Sequence, residues 1–315
     1  MRAVTIRDGE IVIAEHPDPV PGHGEVLVRV AAAGVNGADL LQVRGGYPAP
    51  AGSPPDIPGL EIAGEVVAVG PEALRFALGD RVMAVVGGGG QAELCVVHER
   101  QAMPVPAALD AVAAGGFPEA FATAHDALMT QGALSMGERV LISGAAGGVG
   151  TAAVQLAAAA GAHVTASVRH PELHDAVTGL GAAVVLDPRD TPEAGPFDVL
   201  LELVGAPNLE EHLRAMRRGG RVVVIGVGAG FKTELNLLAV MGGMLTLRGS
   251  TLRARPLEEK AAIARALERE VLPLVERGVL RVPVAASYPL ADAAAAYARF
   301  AAGAKLGKIV ITPGA

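Results

Sequence analysis

The sequence has one cysteine, no tryptophan and only 3% aromatic residues. The lone thiol, Cys95, excludes an intrachain disulfide and any zinc site built on several cysteines. In the run Ala92 to Val97 it reads as a small buried hydrophobe. With so few rings, the bulk of the 51% hydrophobic residues must come from Ala, Val and Leu. Charge is also sparse, at 19%, and Asp+Glu (33) outnumber Lys+Arg (26) for a net charge of -7. That balance lacks the broad basic footprint of a nucleic-acid binder. No apolar run reaches the ~18 residues of a membrane span. Arg2, Arg7, Asp8 and Glu10 fall where a signal peptide would be apolar, so the expected location is cytoplasmic. Glycine, by contrast, is abundant at 41 of 315 and has no three-residue period, which excludes collagen and implies many tight backbone sites. The length predicts about two domains.

Residues 1–118 read as short alternating strands broken by Gly and Pro: Val26 to Ala31, Glu61 to Val69, Arg81 to Val86 and Ala92 to Val97. Between them the loop Gly45 to Gly59 holds Tyr47 and five prolines. Over 119–256 helix and strand alternate, with strands at Arg139 to Ser143, His163 to Val168, Ala183 to Leu186, Asp198 to Leu203 and Arg221 to Gly226. Helices are expected at Val149 to Ala160, Pro171 to Leu180 and Asn208 to Met216. Repeated βαβ units predict an α/β fold whose doubly wound parallel sheet is covered on both faces. Residues 257–315 are expected to return to the first domain. The tail has a long helix Pro256 to Glu276, a short strand, a helix Ala291 to Ala302 and a last strand Gly307 to Thr312.

The strongest chemical signal is the apolar strand ending in Ser143, followed by Gly144-Ala145-Ala146-Gly147-Gly148-Val149-Gly150 and a helix. Such glycines let the backbone approach a pyrophosphate at the unpaired N–H groups of a helix start. The next strand decides between dinucleotides, since an acidic residue at its end suits NAD and a basic one the 2′-phosphate of NADP. Here it passes Ser167 and ends in Arg169-His170, whereas Glu172 and Asp175 come too late to meet the ribose. A guanidinium in place of a carboxylate points to NADPH. His170 and His174, four apart around Glu172, have metal-ligand spacing but no third ligand, so phosphate contact or exposure is preferred.

Six ordered segments resemble the medium-chain dehydrogenase/reductase superfamily, in its zinc-free quinone oxidoreductase branch of the zeta-crystallin type. They are Ala33-Gly34-Val35-Asn36 with Asp39, Arg44-Gly45-Gly46-Tyr47-Pro48, Pro58-Gly59-Leu60-Glu61, Gly79-Asp80-Arg81-Val82, Ala145 to Gly150, and Gly307-Lys308-Ile309-Val310. The resemblance implies a GroES-like β-rich catalytic domain beside a Rossmann domain, with the active site in the cleft. It also implies a homodimer paired near Met244 to Ser250. By the same resemblance Asn36 and Tyr47 lie by nicotinamide and substrate and are the catalytic candidates. Thr123, Gly226 and Val227 hold the nicotinamide half, Ser167 and Arg169 the adenosine half, and Lys308 matches a frequent terminal lysine. Lys308 reads equally as a strand-edge charge.

Zinc-dependent relatives carry Cys where Asn36 stands and His where Leu60 stands, and a third ligand would fall near Glu119, so no catalytic zinc is expected. Relatives that bind NADPH often carry Lys at Leu173 and Tyr at Pro188. Arg169, His170 or Arg189 are the available substitutes, and acceptance of NADH stays open. The expected activity is NADPH-dependent reduction of a small quinone. The alternatives are reduction of an activated C=C bond in an enone or alkenal, with Tyr47 as proton source, and a non-catalytic NADPH-binding protein.

Overall fold

The computed structural model describes residues 1–314. The chain forms two units: Met1–Ala122 with Leu252–Gly303 and Lys308–Ala315, and Thr123–Thr251 with Ala304–Gly307. The boundaries expected at 118 and 256 thus fall at 122 and 251, and four tail residues stay with the second unit.

The first unit opens with a hairpin, β1 (Arg2–Arg7) and β2 (Glu10–Glu15), which the strand reading above omits. Its turn is Asp8-Gly9, both at positive φ (53° and 78°), the backbone that closes a two-residue hairpin. The long β3 (Glu25–Val35) runs into helix α1 (Gly37–Val43). Then come β4 (Glu61–Val69), β5 (Arg81–Val85), β6 (Leu94–His98) and β7 (Ala102–Pro104). Alternate residues Val26, Val28 and Val30 of β3 meet Ile62, Val66, Val82, Ala84, Cys95 and Val97 in one buried core. Cys95 is a free thiol there, and burial pushes its pKa up to about 12. A one-turn helix α2 (Ala111–Gly115), capped by Asp110, leads to α3 (Pro118–His125).

In the second unit β8 (Arg139–Ser143) is followed by α4 (Gly148–Ala159), β9 (His163–Ser167), α5 (His174–Thr178), β10 (Val184–Leu186) and β11 (Phe197–Glu202). The unit continues with α6 (Ala206–Arg214), β12 (Met216–Val224), α7 (Leu237–Gly243) and β13 (Thr246–Gly249). The helix expected over Pro171 to Leu180 is a 3-10 turn, Pro171–Leu173, before the short α5. All pairings in this sheet are parallel, and the order is β10-β9-β8-β11-β12-β13. The chain therefore starts at the centre, winds outward through β9 and β10, and reverses to the other side at β11. The C-terminal ends of β8 and β11 flank that reversal, the place where such sheets bind ligands.

The tail departs from the expected single helix over Pro256 to Glu276. It breaks into α8 (Leu257–Glu270) and α9 (Leu272–Glu276), because Pro273 has no N–H to donate and its ring crowds the preceding turn. β14 (Val284–Pro289), α10 (Ala293–Ala301) and β15 (Lys308–Thr312) follow. β15 pairs with β3, so the last strand completes a seven-stranded sheet begun by the first unit's own strands.

Candidate nucleotide site and catalytic side chains

In the second unit Gly144 turns the chain out of β8 at φ 72°. A Cβ at Gly150 would lie 2.5 Å from the Gly144 carbonyl oxygen and 2.6 Å from Ala145 Cα. Only glycine lets α4 start so close under the turn. Gly147 caps the helix without a side chain, its own N–H returning to the Gly144 carbonyl at 3.1 Å. The N–H groups of Gly148, Val149 and Gly150, in the first turn, have no intrahelical acceptor. They form an electropositive cradle for a phosphate. Ala146 contributes its carbonyl, which accepts from Gly307 N at 2.8 Å.

At the end of β9 the Ser167 hydroxyl and His170 Nε2 are buried with no hydrogen-bond partner. Buried polar atoms are nearly always partnered, so two orphans in four residues leave bonding capacity for a water or a polar ligand. Arg169 between them is exposed. The glycine cradle, the orphaned Ser167 and His170 atoms and the Arg169 cation together fit a dinucleotide. His174, the other half of the metal-like spacing, instead has Nε2 3.0 Å from the Val168 carbonyl, and His170 lies 3.3 Å from Glu172.

The reversal point is also built tightly. Glu202, wholly buried, accepts from Ser143 Oγ (3.0 Å), Val204 N (2.7 Å) and Gly205 N (2.9 Å) and pairs with buried His212 at 3.0 Å. Gly226 follows β12 so near Leu203 that a Cβ would sit 2.2 Å from its carbonyl oxygen. Val227 beside it is exposed, and Thr123 is buried in the last turn of α3.

In the first unit Asn36 ends β3 and caps α1, which places its side chain against β4 and β15. Lys308 Nζ lies 2.6 Å from Asn36 Oδ1 and 2.5 Å from Glu61 Oε1, and Asn36 Nδ2 donates to that same Glu61 oxygen at 3.0 Å. Glu61 Oε2 accepts from Glu119 N at 2.8 Å. Lys308 is only 3% exposed, so the reading of it as a strand-edge charge is overturned: β15 turns it inward to a buried carboxylate. Gly34 makes room, since a Cβ there would come within 2.1 Å of Glu61 Oε1.

Asp39, wholly buried, accepts from Asn36 N (2.8 Å) and Gly59 N (3.0 Å) and lies 3.4 Å from Gln91 Nε2. Burial pushes its carboxyl up to about 6, against the lowering effect of those bonds and of Lys308 and Arg253. Gln91 in turn accepts from the buried Tyr297 hydroxyl at 2.9 Å. Tyr47 is partly exposed in its loop, and burial raises its phenol above the ordinary value.

Arg253 was not singled out from the sequence. It is 4% exposed and donates to the carbonyls of Gly87 (2.7 Å) and Tyr47 (2.9 Å) and to Gln42 Oε1 (2.6 Å). Its guanidinium also lies 5.2 Å from the Tyr47 ring centroid, so it holds Tyr47 by both its carbonyl and its ring.

A parallel sheet that reverses at its centre, with a glycine turn after the central strand and a β-rich partner unit, defines the dinucleotide-dependent dehydrogenase class. An alcohol dehydrogenase GroES-like domain is recognised over residues 22–130 and a zinc-binding dehydrogenase domain over residues 180–311. The chain belongs to the medium-chain dehydrogenase/reductase superfamily of oxidoreductases, whose members bind NAD(P)(H). It is 31% identical to a quinone oxidoreductase of Lama guanicoe over 94% of this chain and 92% of that one. A mycocerosic acid synthase-like polyketide synthase of Mycobacterium tuberculosis is 34% identical over 92% of this chain, which spans only 14% of that protein's length. Among solved structures, an alcohol dehydrogenase superfamily protein from Novosphingobium aromaticivorans superposes with a TM-score of 0.89 at 31% identity, over 99% of both chains. Among the described residues no group of three or more His, Cys, Asp or Glu is placed to hold a metal ion, and no helix is long and apolar enough to cross a membrane.

Proposed function

We propose that the protein is an NADPH:quinone oxidoreductase that works without zinc. The observation that carries the cofactor assignment is the pair of orphaned atoms, Ser167 Oγ and His170 Nε2, on either side of the exposed Arg169. The N–H groups of Gly148, Val149 and Gly150 would hold the pyrophosphate, with Gly144, Ala146 and Gly147 shaping the turn beneath it. Arg169, Ser167 and His170 would take the adenosine 2′-phosphate, which a guanidinium matches in geometry. Thr123, Gly226 and Val227 would flank the nicotinamide. Bound there, reduced nicotinamide supplies a hydride, and a quinone is already a good acceptor.

The side chains of the first unit then position and polarise. Asn36 is the amide nearest this role, and Tyr47, pinned by Arg253, offers a phenol to a substrate oxygen. Support for zinc independence comes from the donor set: the amide of Asn36 and the buried side chain of Leu60 stand where zinc-dependent relatives carry Cys and His.

An activated C=C bond is the second reading, favoured by the match to a segment of a mycocerosic acid synthase-like polyketide synthase. It would use the same hydride with Tyr47 as proton source.

We also propose a homodimer. β13 is an open sheet edge, and beside it Leu237, Leu238, Met241 and Met244 are 59–78% exposed. A cytoplasmic enzyme is consistent with a single, buried, unpaired cysteine.

The test follows loss of reduced-nicotinamide absorbance with NADPH or NADH, a naphthoquinone or a 2-alkenal, and EDTA present. Turnover of NADPH with the quinone, undiminished by EDTA, is the expected result. Faster alkenal reduction would move the assignment to the second reading, and preference for NADH would overturn the cofactor.

A further inference from the structure

Which way the Asn36 amide faces follows from its partners. An ammonium has only donors and a carboxylate only acceptors. Lys308 Nζ lies 2.6 Å from one end of the amide and Glu61 Oε1 3.0 Å from the other. Turned over, the amide would set its NH₂ against the ammonium and its carbonyl against the carboxylate. Two favourable contacts would become two repulsions in a buried site. The direct Lys308–Glu61 contact closes the ring of three. Neither partner can swing away easily, because the other Glu61 oxygen is held by Glu119 N and Lys308 is 3% exposed on the β15 strand. The backbone of Asn36 is fixed as well, its N–H donating to Asp39.

An NH₂ group has two hydrogens, and Glu61 takes one. The ammonium on Oδ1 draws electron density out of the amide, which strengthens the second N–H as a donor.

We propose that Lys308 and Glu61 are positioning residues that lock Asn36 as an N–H donor to the substrate oxygen on which charge develops. This rests on the functional reading above, which sets Asn36 beside nicotinamide and substrate. The electrons balance as follows: the reduced nicotinamide gives two electrons and a hydrogen nucleus to the acceptor as hydride, and is itself oxidised. The acceptor is left with negative charge on its oxygen, and a proton from water completes the hydroxyl. Asn36 meets the charge without giving up its own hydrogen. A donor fixed in a buried site needs no reorganisation as that charge appears, so its contribution falls on kcat rather than on binding.

The variant Lys308→Met with Glu61→Gln removes both charges at nearly constant volume and strands neither. It is expected to melt cooperatively and to bind NADPH, read by nicotinamide fluorescence, within about threefold of wild type. Its quinone KM is expected to stay similarly close, while kcat falls roughly tenfold to hundredfold. Asn36→Ala should lose the same factor, and the triple variant no more. Full kcat in the paired variant, or losses that multiply in the triple variant, would overturn the proposal.

A second measurement needs neither cofactor nor acceptor. In side-chain ¹⁵N–¹H spectra the Asn36 NH₂, assigned by its loss in Asn36→Asp, should exchange slowly with water and carry one proton shifted downfield by the Glu61 carboxylate, and the paired variant should lose both features. An Asn36 NH₂ with ordinary proton shifts and the fast water exchange of an exposed amide in wild type would overturn the locking even in an active enzyme. A locked NH₂ in a protein that reduces neither quinone nor alkenal would overturn the functional reading and leave the orientation standing.

Discussion

At the end of β9 two buried polar atoms, Ser167 Oγ and His170 Nε2, have no partner, and the first N–H groups of α4 beside them are uncapped. Around Asn36, in the other unit, the polar groups are spent on one another: Lys308 on Glu61 and Asn36, Glu61 on Glu119 N, Asp39 on Asn36 N and Gly59 N, Tyr297 on Gln91. The first region has bonding capacity left over. The second is complete in itself, and its internal bonds set the direction of a side chain. On the function proposed above, a nucleotide supplies its own charges and needs open partners, whereas a reacting oxygen gains charge only in passing and needs a partner already aimed.

If that contrast holds, removing one member of the closed region should do the most damage. Glu61→Ala leaves Lys308 buried without its ion-pair partner and is expected to cost about 3–5 kcal/mol of stability, measured by urea unfolding. The paired Lys308→Met, Glu61→Gln variant should recover most of it. Equal stability of the single and paired variants would break the comparison.

Next in size is the pH response of Asp39. Its carboxyl sits at about 6 in the folded protein against 3.8 ordinarily, so the folded state holds this proton more tightly than the unfolded chain. Its contribution is therefore favourable below the ordinary value and is lost as pH rises through about 6. The full span corresponds to roughly 3 kcal/mol. Urea unfolding at several pH values from 4 to 7.5 should show wild type losing more stability than Asp39→Asn over that interval. Parallel curves would mean the carboxyl is not desolvated as its surroundings require.

The smallest effects belong to the open region. Ser167→Ala removes a hydroxyl that bonds to nothing in the protein, so melting should be unchanged, with a loss confined to NADPH affinity. Arg169→Gln should weaken NADPH about tenfold while leaving NADH nearly untouched. Calorimetric titration of both nucleotides reads each prediction, and an equal loss for NADH would detach Arg169 from the 2′-phosphate.

The open region was the more legible of the two from sequence, because its signal is local. Strand, turn and helix follow one another within a dozen residues, and Gly144, Gly147 and Gly150 each have a steric reason to be glycine. The closed region is non-local. Glu61 and Lys308 both stood in recognisable segments, yet nothing near either residue announces its partner. Arg253 carries no local signal at all, since Gln42, Tyr47 and Gly87 are brought to it only by the fold. Two misses were readable in retrospect. Asp8-Gly9 is a hairpin turn between two alternating stretches, and Pro273 forbids an unbroken helix through the tail.

Lys308 and Asn36 are 272 positions apart, and β15, which carries the lysine, is the strand that joins β3. A nascent chain, made from its N-terminal side, therefore holds Glu61 before β15 and the Lys308 counter-charge exist. The whole of the second unit, contiguous but for four residues, is made in the meantime. Folding order is set by that spacing. The second unit can assemble its central strands as they appear, while the first must wait for β15 to close over its buried carboxylate.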